Sequence, residues 1–528
     1  MRDIFEVSAA AVAVLVFTVS GAVRAQPAEP SLKQRLDAIM SRPEFAHARF
    51  GMEFRLLDQD KPVDQLNEQQ FFIAASTTKL LTEGTALSLL GPQYRFHTRV
   101  FRTGAIGKGG ALEGDLILVA AGDPNLSNRI QAGGTLAFQN EDHAYDSMPG
   151  GAQVVPGDPL AVLRELAAQV ANAGIRKVAG QVRVDASLFP EGERELGTGV
   201  AISPVCVNDN LIDVTISAAA EGTTPRLTLS PSTAYVHIVN QLKTGPPSNK
   251  TAAVSFTDQR RPDGTYSVTV QGTVPAGSSL LRTYRVPEPG RFAQMTFVEC
   301  LKDAGVSATA DLTLPAPDQH MQSFYKPENQ VAEHISPPFA EEVKVTLKVS
   351  QNLHASMTPY ILGAVLGKSH EGALQAGFGL ENQFLKKAGL DLSGASQSDG
   401  AGGDAFFTPE FMVRYLIYLS RQDALFPAFW RALPVMGKDG TLWDIQTDSP
   451  AAGHVHAKTG TLGGSDLLNH SLMITGKGLA GYIDRRDGRR LAFAAYLGMV
   501  DGDPEKIMHK VGNVLGEIAT AAYDAPLE

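Results

Sequence analysis

Ser76 and Lys79 stand three positions apart at the start of a helix-like run that ends at Gly91. Side chains three apart on a helix project from the same face, so the lysine amine can reach the serine hydroxyl. A hydroxyl is a poor nucleophile until a base takes its proton, and a desolvated lysine can be that base. The pattern therefore predicts nucleophilic catalysis by a serine that a lysine activates.

Other short matches to the same chemistry fail on local structure. A second Ser-x-x-Lys, Ser323–Lys326, runs into Pro327, which disfavours a helical conformation for the residue before it. Lys-Thr-Gly occurs at 243–245, followed by two prolines that a central strand does not accommodate, and at 458–460, inside an alternating, strand-like stretch. Ser-x-Asn occurs once, at 350–352. Only the set beginning at positions 76, 350 and 458 gives the order SxxK, SxN, KTG in suitable local structure.

These three motifs lie 274 and 108 positions apart, so the chain must fold back on itself to bring them together. Between the first two, a helix-like run follows Asp158, and short alternating runs typical of β-structure extend from Val205 to Val286. A stretch rich in glycine, glutamine and asparagine at 127–157 is predicted to be a loop or an insertion. The length of 528 residues predicts three or four domains.

Composition and the remaining motifs exclude several classes of protein. The formal net charge of -10 argues against a nucleic-acid binder, whose footprint is strongly basic. Two cysteines are too few for a disulfide-dense scaffold or a four-thiolate zinc site. His454 and His456 share one strand face, but no third ligand is visible, so neither a metal nor a cofactor is expected. The stretch Gly394–Ser398 approaches a nucleophile elbow but ends in serine instead of glycine.

The N-terminus predicts export. Residues 7–23 carry no charge, and small residues flank Arg24 where a signal peptidase would cleave. We expect a signal peptide at residues 1–25 and a periplasmic mature protein. An uncleaved anchor is the alternative, because 17 uncharged residues lie at the lower limit for spanning a bilayer. In an exported protein Cys206 and Cys300 either form a disulfide or are buried free thiols, and both alternatives stay open.

The motif set resembles that of the penicillin-recognising serine enzymes, whose three motifs line one cleft. The long first gap is similar to that of the D-alanyl-D-alanine carboxypeptidase/endopeptidase group, the low-molecular-mass class C penicillin-binding proteins, in which two domains are inserted between the first two motifs. The stretches GDLILVAAGDPNL, SPVCVNDN, SDGAGG and VHAKTGTL are also similar to that family. Three features depart from its pattern: Ala401 replaces a serine, Cys206 replaces serine or alanine, and 127–157 is extra length.

The resemblance implies an α/β (α+β) multi-domain fold. Its catalytic domain is a penicillin-recognising, β-lactamase-like domain, an antiparallel sheet flanked by helices, split by two small inserted domains. The resemblance places this catalytic domain at residues 26–100 and 318–528, an inserted α/β domain at 101–202 and an inserted, mainly β domain at 203–317.

The resemblance also implies the activity of a serine D-alanyl-D-alanine carboxypeptidase/endopeptidase, with a role for each motif residue. Ser76 is expected to attack the carbonyl of the D-Ala-D-Ala bond and form an acyl-enzyme, with Lys79 as its base. Ser350 is expected to relay a proton to the leaving amine, and Asn352 to orient Lys79 and the substrate amide.

The resemblance also implies roles for the residues of the Lys-Thr-Gly strand. Lys458 is expected to lower the pKa of Lys79 through its charge and to help hold the terminal carboxylate of the substrate. The backbone N–H groups of Ser76 and Thr461 are expected to form the oxyanion hole. Asp399 and Gly400 are expected to shape the cleft. The expected substrate-binding residues are Lys458, Thr459, Gly460 and Thr461.

Peptidoglycan stem peptides are the implied substrates and β-lactam antibiotics the implied covalent inhibitors, whereas the oligomeric state is left open. A β-lactamase or esterase of the same superfamily is one rival, although compact β-lactamases lack the two inserted domains. A catalytically silent peptidoglycan-binding protein that keeps the fold as a sensor or scaffold is another. The intact Ser76, Lys79, Ser350 and Lys458 disfavour that second rival.

Overall fold

The computed structural model describes residues 29–146, 151–248 and 251–527. The predicted signal peptide at residues 1–25 lies outside the described residues. Across the described ranges, no helix combines the length and the apolar character that crossing a bilayer requires.

The helices and strands are numbered here in chain order. The first segment contributes α1 (Leu32–Met40), β1 (Arg49–Leu56), β2 (Asp64–Leu66), β3 (Phe72–Ile73) and α2 (Thr78–Leu90). The middle of the chain contributes β4 (His97–Arg102), β5 (Ala111–Leu112), β6 (Leu116–Val119), β7 (Ile130–Gln131), β8 (Thr135–Leu136), α3 (Ala161–Asn172), β9 (Lys177–Val178), β10 (Val182–Asp185), β11 (Leu211–Ser217), β12 (Arg226–Ser230), β13 (Val236–Gly245), β14 (Ala253–Arg260), β15 (Tyr266–Pro275), β16 (Ser279–Arg285), α4 (Pro289–Asp303), α5 (Gln319–Gln322) and β17 (Gln330–Ile335). The last segment contributes α6 (Phe339–Lys348), α7 (Asn352–Val365), α8 (Ala373–Lys387), β18 (Ala395–Gln397), β19 (Ala405–Phe407), α9 (Pro409–Ser420), α10 (Phe426–Ala432), β20 (Val455–Asp466), β21 (Ser471–Asp484), β22 (Arg490–Gly498), β23 (Val500–Gly502) and α11 (Ile507–Asp524).

Both ends of the chain build the central sheet. Its order is β2-β1-β22-β21-β20, antiparallel throughout, and β23 pairs with β21. Side chains alternate between the two faces of a strand. On β22, Phe493 and Leu497 pack with α1 and α11, whereas Ala492 and Tyr496 pack with α2 and α9. The sheet is therefore covered by helices on both faces, and the two cores flank the sheet whose strand β20 carries the Lys-Thr-Gly motif.

The middle of the chain builds smaller sheets around a shared core. Strands β10-β6-β4-β17 form one sheet, and β12-β11-β16 and β13-β15-β14 form two more. Helices α3 and α4 pack into the same core. Strand β4 straddles the predicted domain boundary at residue 100, and it pairs with β17, which follows the boundary at 318. The division into a split catalytic domain and two inserts stays a prediction, and we propose that β4 and β17 are where the chain leaves and re-enters the catalytic domain.

The middle of the chain also packs directly against helices from the first and last segments. Phe189 and Ile202 join the apolar cluster formed by α2, α6, α7 and α9. Cys206 is buried in this cluster, whereas Cys300 is buried in the core of the middle region, and both thiols are unpaired. Of the two alternatives that the sequence left open, the structure therefore contains the free thiols.

Candidate active site

Ser76 lies in a 3-10 turn, Ala75–Thr77, that leads into α2. Ala75 has a φ of +45°, a left-handed conformation that costs a non-glycine residue about 1–3 kcal/mol. Strand β20 passes so close to this turn that a Cβ on Gly460 would lie 2.6 Å from the Ala74 carbonyl oxygen and 3.0 Å from the Ser76 nitrogen. A side chain does not fit at that approach, which accounts for the glycine of the Lys-Thr-Gly motif.

Lys79 lies one helical turn after Ser76 and contacts groups from three parts of the chain. Its Nζ is 2.7 Å from Ser76 Oγ, 2.7 Å from Asn352 Oδ1 and 3.4 Å from Ser350 Oγ. The carbonyl oxygen of Ala401 lies 3.1 Å away. A neutral amine has two hydrogens, which Asn352 and Ala401 can accept, and its lone pair then faces the Ser76 hydroxyl. This is the arrangement that a general base for the serine requires.

Burial adjusts the basicity of Lys79. Burial lowers the pKa of its ammonium to about 7, although the carboxylates of Glu195, Asp399 and Glu83 raise it. A substantial fraction of the lysine is therefore a neutral amine near pH 7, so it can take the serine proton without a further partner.

Lys458 points at Ser350 from β20. Its Nζ lies 2.9 Å from Ser350 Oγ and 2.7 Å from the Thr459 carbonyl oxygen. Burial, followed by the charges of Lys79 and Lys477, holds the pKa of Lys458 well below its usual value. Burial is the largest cause of the lowered pKa of Lys79, and the expectation that the charge of Lys458 contributes to it stays a prediction.

The Ser-x-Asn motif forms a strained turn between α6 and α7. Ser350 has a φ of +62°, and the Gln351 side chain caps α7 by accepting a hydrogen bond from the Leu353 N–H at 2.9 Å. Asn352 is the first residue of α7. Tyr145, from the stretch at 127–157, donates its hydroxyl hydrogen to the Ser350 carbonyl. The stretch predicted to be a loop or insertion therefore braces this turn.

Asp399 holds the loop that carries the Ala401 carbonyl to Lys79. Its carboxylate accepts hydrogen bonds of 2.7–3.2 Å from the N–H groups of Ala401, Gly402, Gly403 and Asp404. The departure from the family pattern at position 401 leaves the contact with Lys79 intact, because that contact uses the backbone.

The three motifs open into one cleft of about 670 Å³. The expected site residues that line it are Ser76, Ser350, Asn352, Thr459, Gly460 and Thr461. Lys79 and Lys458 lie fully buried behind this lining. Sequence reasoning missed other lining residues, namely Asn140, Asp142, Tyr145, Leu196, Gly197, Trp443 and Lys477. The length and irregular composition of 127–157 were a usable signal for the first three, because long loops on a rigid scaffold commonly carry function.

The close approach of Gly197 to Asn352 allows the role of Asn352 to be tested by substitution. A Cβ at this position would lie 1.9 Å from Asn352 Nδ2, so the amide of Asn352 would have to turn away from Lys79. We expect Gly197→Ala to lower the rate of Ser76 acylation about 10- to 100-fold with little change in thermal stability, because small misplacements of a catalytic group are costly. The control is Gly379→Ala, where a Cβ meets nothing within 4 Å. An unchanged acylation rate for Gly197→Ala contradicts the role of Asn352.

A buried ion cluster joins the middle of the chain to the Ser-x-Asn turn. Its members are Arg129, Asp142, His143, Asp209, Asp213 and His354. Arg129 lies 2.6 Å from both Asp142 and Asp209. Against burial, which raises it, the charges of Arg129 and His354 hold the pKa of Asp209 well below its usual range. The Gln351 amide donates to Asp142 and Asp209 at 3.4 and 3.3 Å, so the cluster fixes the turn that carries Asn352.

Removing the cation from this cluster tests how much it stabilises the fold. Arg129→Met leaves two buried carboxylates without their shared guanidinium, and we expect the free energy of unfolding to fall by about 3–5 kcal/mol. The measurement is urea unfolding at neutral pH. Arg164→Met is the control, because the ion pairs of Arg164 are exposed, and we expect it to cost less than about 1 kcal/mol. Equal effects for the two variants contradict a stabilising role for the cluster.

The chain is similar in sequence to known D-Ala-D-Ala carboxypeptidases. Residues 32–516 match the model of the D-Ala-D-Ala carboxypeptidase 3 (S13) family. The chain is 27% identical over 463 residues to a D-alanyl-D-alanine carboxypeptidase of an Actinomadura species, covering 83% of this chain and 78% of that one. It is 23% identical over 476 residues to the D-alanyl-D-alanine carboxypeptidase DacB of Haemophilus influenzae, covering 86% of each.

A solved structure shows the same fold. The crystal structure of penicillin binding protein 4 from Haemophilus influenzae superposes with a TM-score of 0.69 at 19% identity, over 92% of this chain and 98% of that one. The same protein is also known in complex with a β-lactam. The predicted multi-domain α/β fold class is confirmed. Because the family match spans nearly all of the described residues, the chain belongs to the D-Ala-D-Ala carboxypeptidase 3 (S13) family.

Proposed function

We propose that this chain acts on peptidoglycan stem peptides as a serine D-Ala-D-Ala carboxypeptidase/endopeptidase, through an acyl-enzyme on Ser76. The observation that carries the proposal is the 2.7 Å contact between Lys79 Nζ and Ser76 Oγ inside a cleft lined by all three motifs. Family membership supports the reaction class, and the individual residue roles rest on the contacts described above.

In the proposed acylation step, Ser76 Oγ attacks the carbonyl carbon of the penultimate D-Ala while its proton passes to Lys79 Nζ. The carbonyl oxygen becomes an oxyanion, which the backbone N–H groups of Ser76 and Thr461 hold in this proposal. Such donors contribute about 3–4 kcal/mol each to transition-state stabilisation in related chemistry.

The leaving group needs the proton that Lys79 has taken. Lys79 and Lys458 both contact Ser350 Oγ, at 3.4 and 2.9 Å, so Ser350 can pass a proton toward the amine of the departing D-Ala. The carbon–nitrogen bond then breaks and free D-Ala leaves. Water attacks the resulting ester, Lys79 takes its proton, and Ser76 Oγ is released with its hydrogen restored.

A β-lactam ring enters the same sequence at its strained amide. Attack by Ser76 opens the ring, but the amine stays tethered to the acyl group, so the leaving group keeps its place in the cleft. We therefore propose that β-lactams acylate Ser76 and inhibit the enzyme. The periplasm is the proposed compartment, because stem peptides are located there and the pattern at residues 1–25 is typical of a signal peptide.

Purified muropeptides test the proposal and separate its two activities. We expect the protein to release D-alanine from pentapeptide stems, to cleave cross-linked dimers, or to do both, as measured by chromatography with mass detection. The control is the same protein treated first with excess benzylpenicillin, which should form no product. Release of D-alanine with cross-links intact indicates a carboxypeptidase, and loss of cross-links indicates an endopeptidase.

Two outcomes contradict the proposal. Absence of any product, together with absence of covalent labelling by benzylpenicillin, fits a silent peptidoglycan-binding protein. Rapid turnover of benzylpenicillin without either muropeptide product fits a β-lactamase.

A further inference from the structure

A third lysine lies in the candidate site, on the strand next to the Lys-Thr-Gly motif. Lys477 on β21 is the register partner of Thr461 on β20. Its Nζ lies 2.7 Å from Thr461 Oγ1, and its side chain lines the cleft. The Lys477 ammonium is therefore positioned on the wall of the cleft, beside a residue already expected to bind substrate.

Lys458 is less well placed to bind an anion. Residues two apart on a strand share a face, so Thr459 and Thr461 point to the cleft side of β20 while Lys458 and Gly460 point toward α2. Lys458 Nζ is occupied by Ser350 Oγ and the Thr459 carbonyl oxygen, and its side chain is fully buried. Among the described residues that line the cleft, Lys477 is the one Lys or Arg.

The pKa of Lys477 also supports a role in binding an anion. Burial lowers the pKa of Lys477 to about 8, and the carboxylate of Asp444 opposes that shift, so Lys477 is mostly protonated at neutral pH. The pKa of Lys458 is held well below its usual value by burial and by its two lysine neighbours. On the wall of the cleft, Lys477 is therefore a cation that a substrate carboxylate can meet at neutral pH.

We propose that Lys477 binds the C-terminal carboxylate of the substrate together with the hydroxyls of Thr459 and Thr461, while Lys458 acts on Ser350. The inference rests on the proposed function, because the anion it assigns is the terminal carboxylate of a D-Ala-D-Ala peptide or the matching carboxylate of a β-lactam. It assigns recognition of this carboxylate to Lys477 on β21 instead of Lys458 on β20.

Benzylpenicillin and its methyl ester test this assignment, because they share the reactive ring and differ in the carboxylate. The measured quantity is the second-order rate constant of acylation for each compound, followed by intact-protein mass. We expect Lys477→Met to lower the ratio of the acid rate to the ester rate by about 10- to 100-fold, the usual loss for one hydrogen bond to a charged group. We expect Lys477→Arg to retain most of the wild-type ratio, since it keeps the charge.

Controls separate recognition from support of the fold. Lys510→Met removes a surface lysine that lies outside the cleft lining, and its ratio should match that of the wild type. Melting curves show whether Lys477→Met is folded, and the arginine variant tests the charge independently if it is not. An equal fall in both rates shows that Lys477 only supports Thr461, and an unchanged ratio assigns the charge elsewhere; either result overturns the inference. If neither compound acylates the wild type, the proposed function itself has failed and the inference fails with it.

Discussion

Ser76→Ala is expected to abolish both reactions of this protein. Removing the nucleophile should lower D-alanine release from a pentapeptide substrate by about 10⁴-fold or more and leave no covalent β-lactam adduct, because no acyl-enzyme can form. The variant should fold normally, since the substitution removes only a hydroxyl that contacts Lys79 Nζ and leaves the apolar packing unchanged. Steady-state release of D-alanine and circular dichroism are the two measurements.

A serine further along the same helix provides the control for Ser76→Ala. Ser88 Oγ donates to the Gly84 carbonyl at 2.8 Å within α2, away from the cleft lining. Ser88→Ala should retain the wild-type rate. Residual activity of Ser76→Ala above about one hundredth of the wild-type rate contradicts its role as the nucleophile.

Lys79→Met is expected to lower the acylation rate by about 10²- to 10⁴-fold, because it removes the base that takes the serine proton. The pH dependence of the rate identifies the group. Burial lowers the pKa of Lys79 to about 7, and only the deprotonated amine is a base, so the wild-type rate should rise with pH through about 7 and level off above it. Acylation by benzylpenicillin between about pH 5.5 and 9 measures this profile.

Lys79→Arg distinguishes a base from a charge at the same position. A guanidinium keeps the positive charge but does not deprotonate in proteins, so we expect this variant to be as slow as Lys79→Met and to lose the rise near pH 7. A near-wild-type rate for Lys79→Arg contradicts general-base catalysis by Lys79 and indicates an electrostatic role.

Local patterns were sufficient to predict the elements that carry the motifs. The apolar run after Ser76 forms α2 and ends at Gly91, whose φ is +88°, as a helix-terminating glycine commonly is. The alternating stretch around Lys458 forms β20. Both predictions depend on periodicity and on glycine conformation, which are properties of a few consecutive residues. The multi-domain α/β fold class was implied by the resemblance that these motifs carry, and it is confirmed, whereas the domain boundaries stay a prediction.

Long-range geometry was not predictable from the same patterns. Tyr145 reaches the Ser350 carbonyl, and Gly197 packs on Asn352, only because the middle of the chain folds back onto the turn that carries the Ser-x-Asn motif. The pairing of Lys477 with Thr461 depends on a bulge between Leu462 and Gly463 that shifts the register of β20 and β21. A change of one residue in register moves a side chain to the other face, so sequence alternation alone could not place Lys477 in the cleft.

The buried ion cluster could not be predicted from the sequence either. Its members come from positions spread between Arg129 and His354, and only Asp209 lies in a stretch, SPVCVNDN, whose sequence is similar to the family. Each charge is tolerated in the interior only because the others compensate it, which is a property of the assembled structure.

Mapping the β-lactam adduct tests the central claim, that Ser76 is the nucleophile activated within this cleft. Benzylpenicillin is incubated with the wild-type protein, and the intact mass is followed by peptide mapping of the digested adduct. The expected result is one added benzylpenicilloyl group per chain, located on the peptide that contains Ser76. An adduct on a different residue, or no adduct at all under conditions where the protein is folded, contradicts the mechanism proposed here.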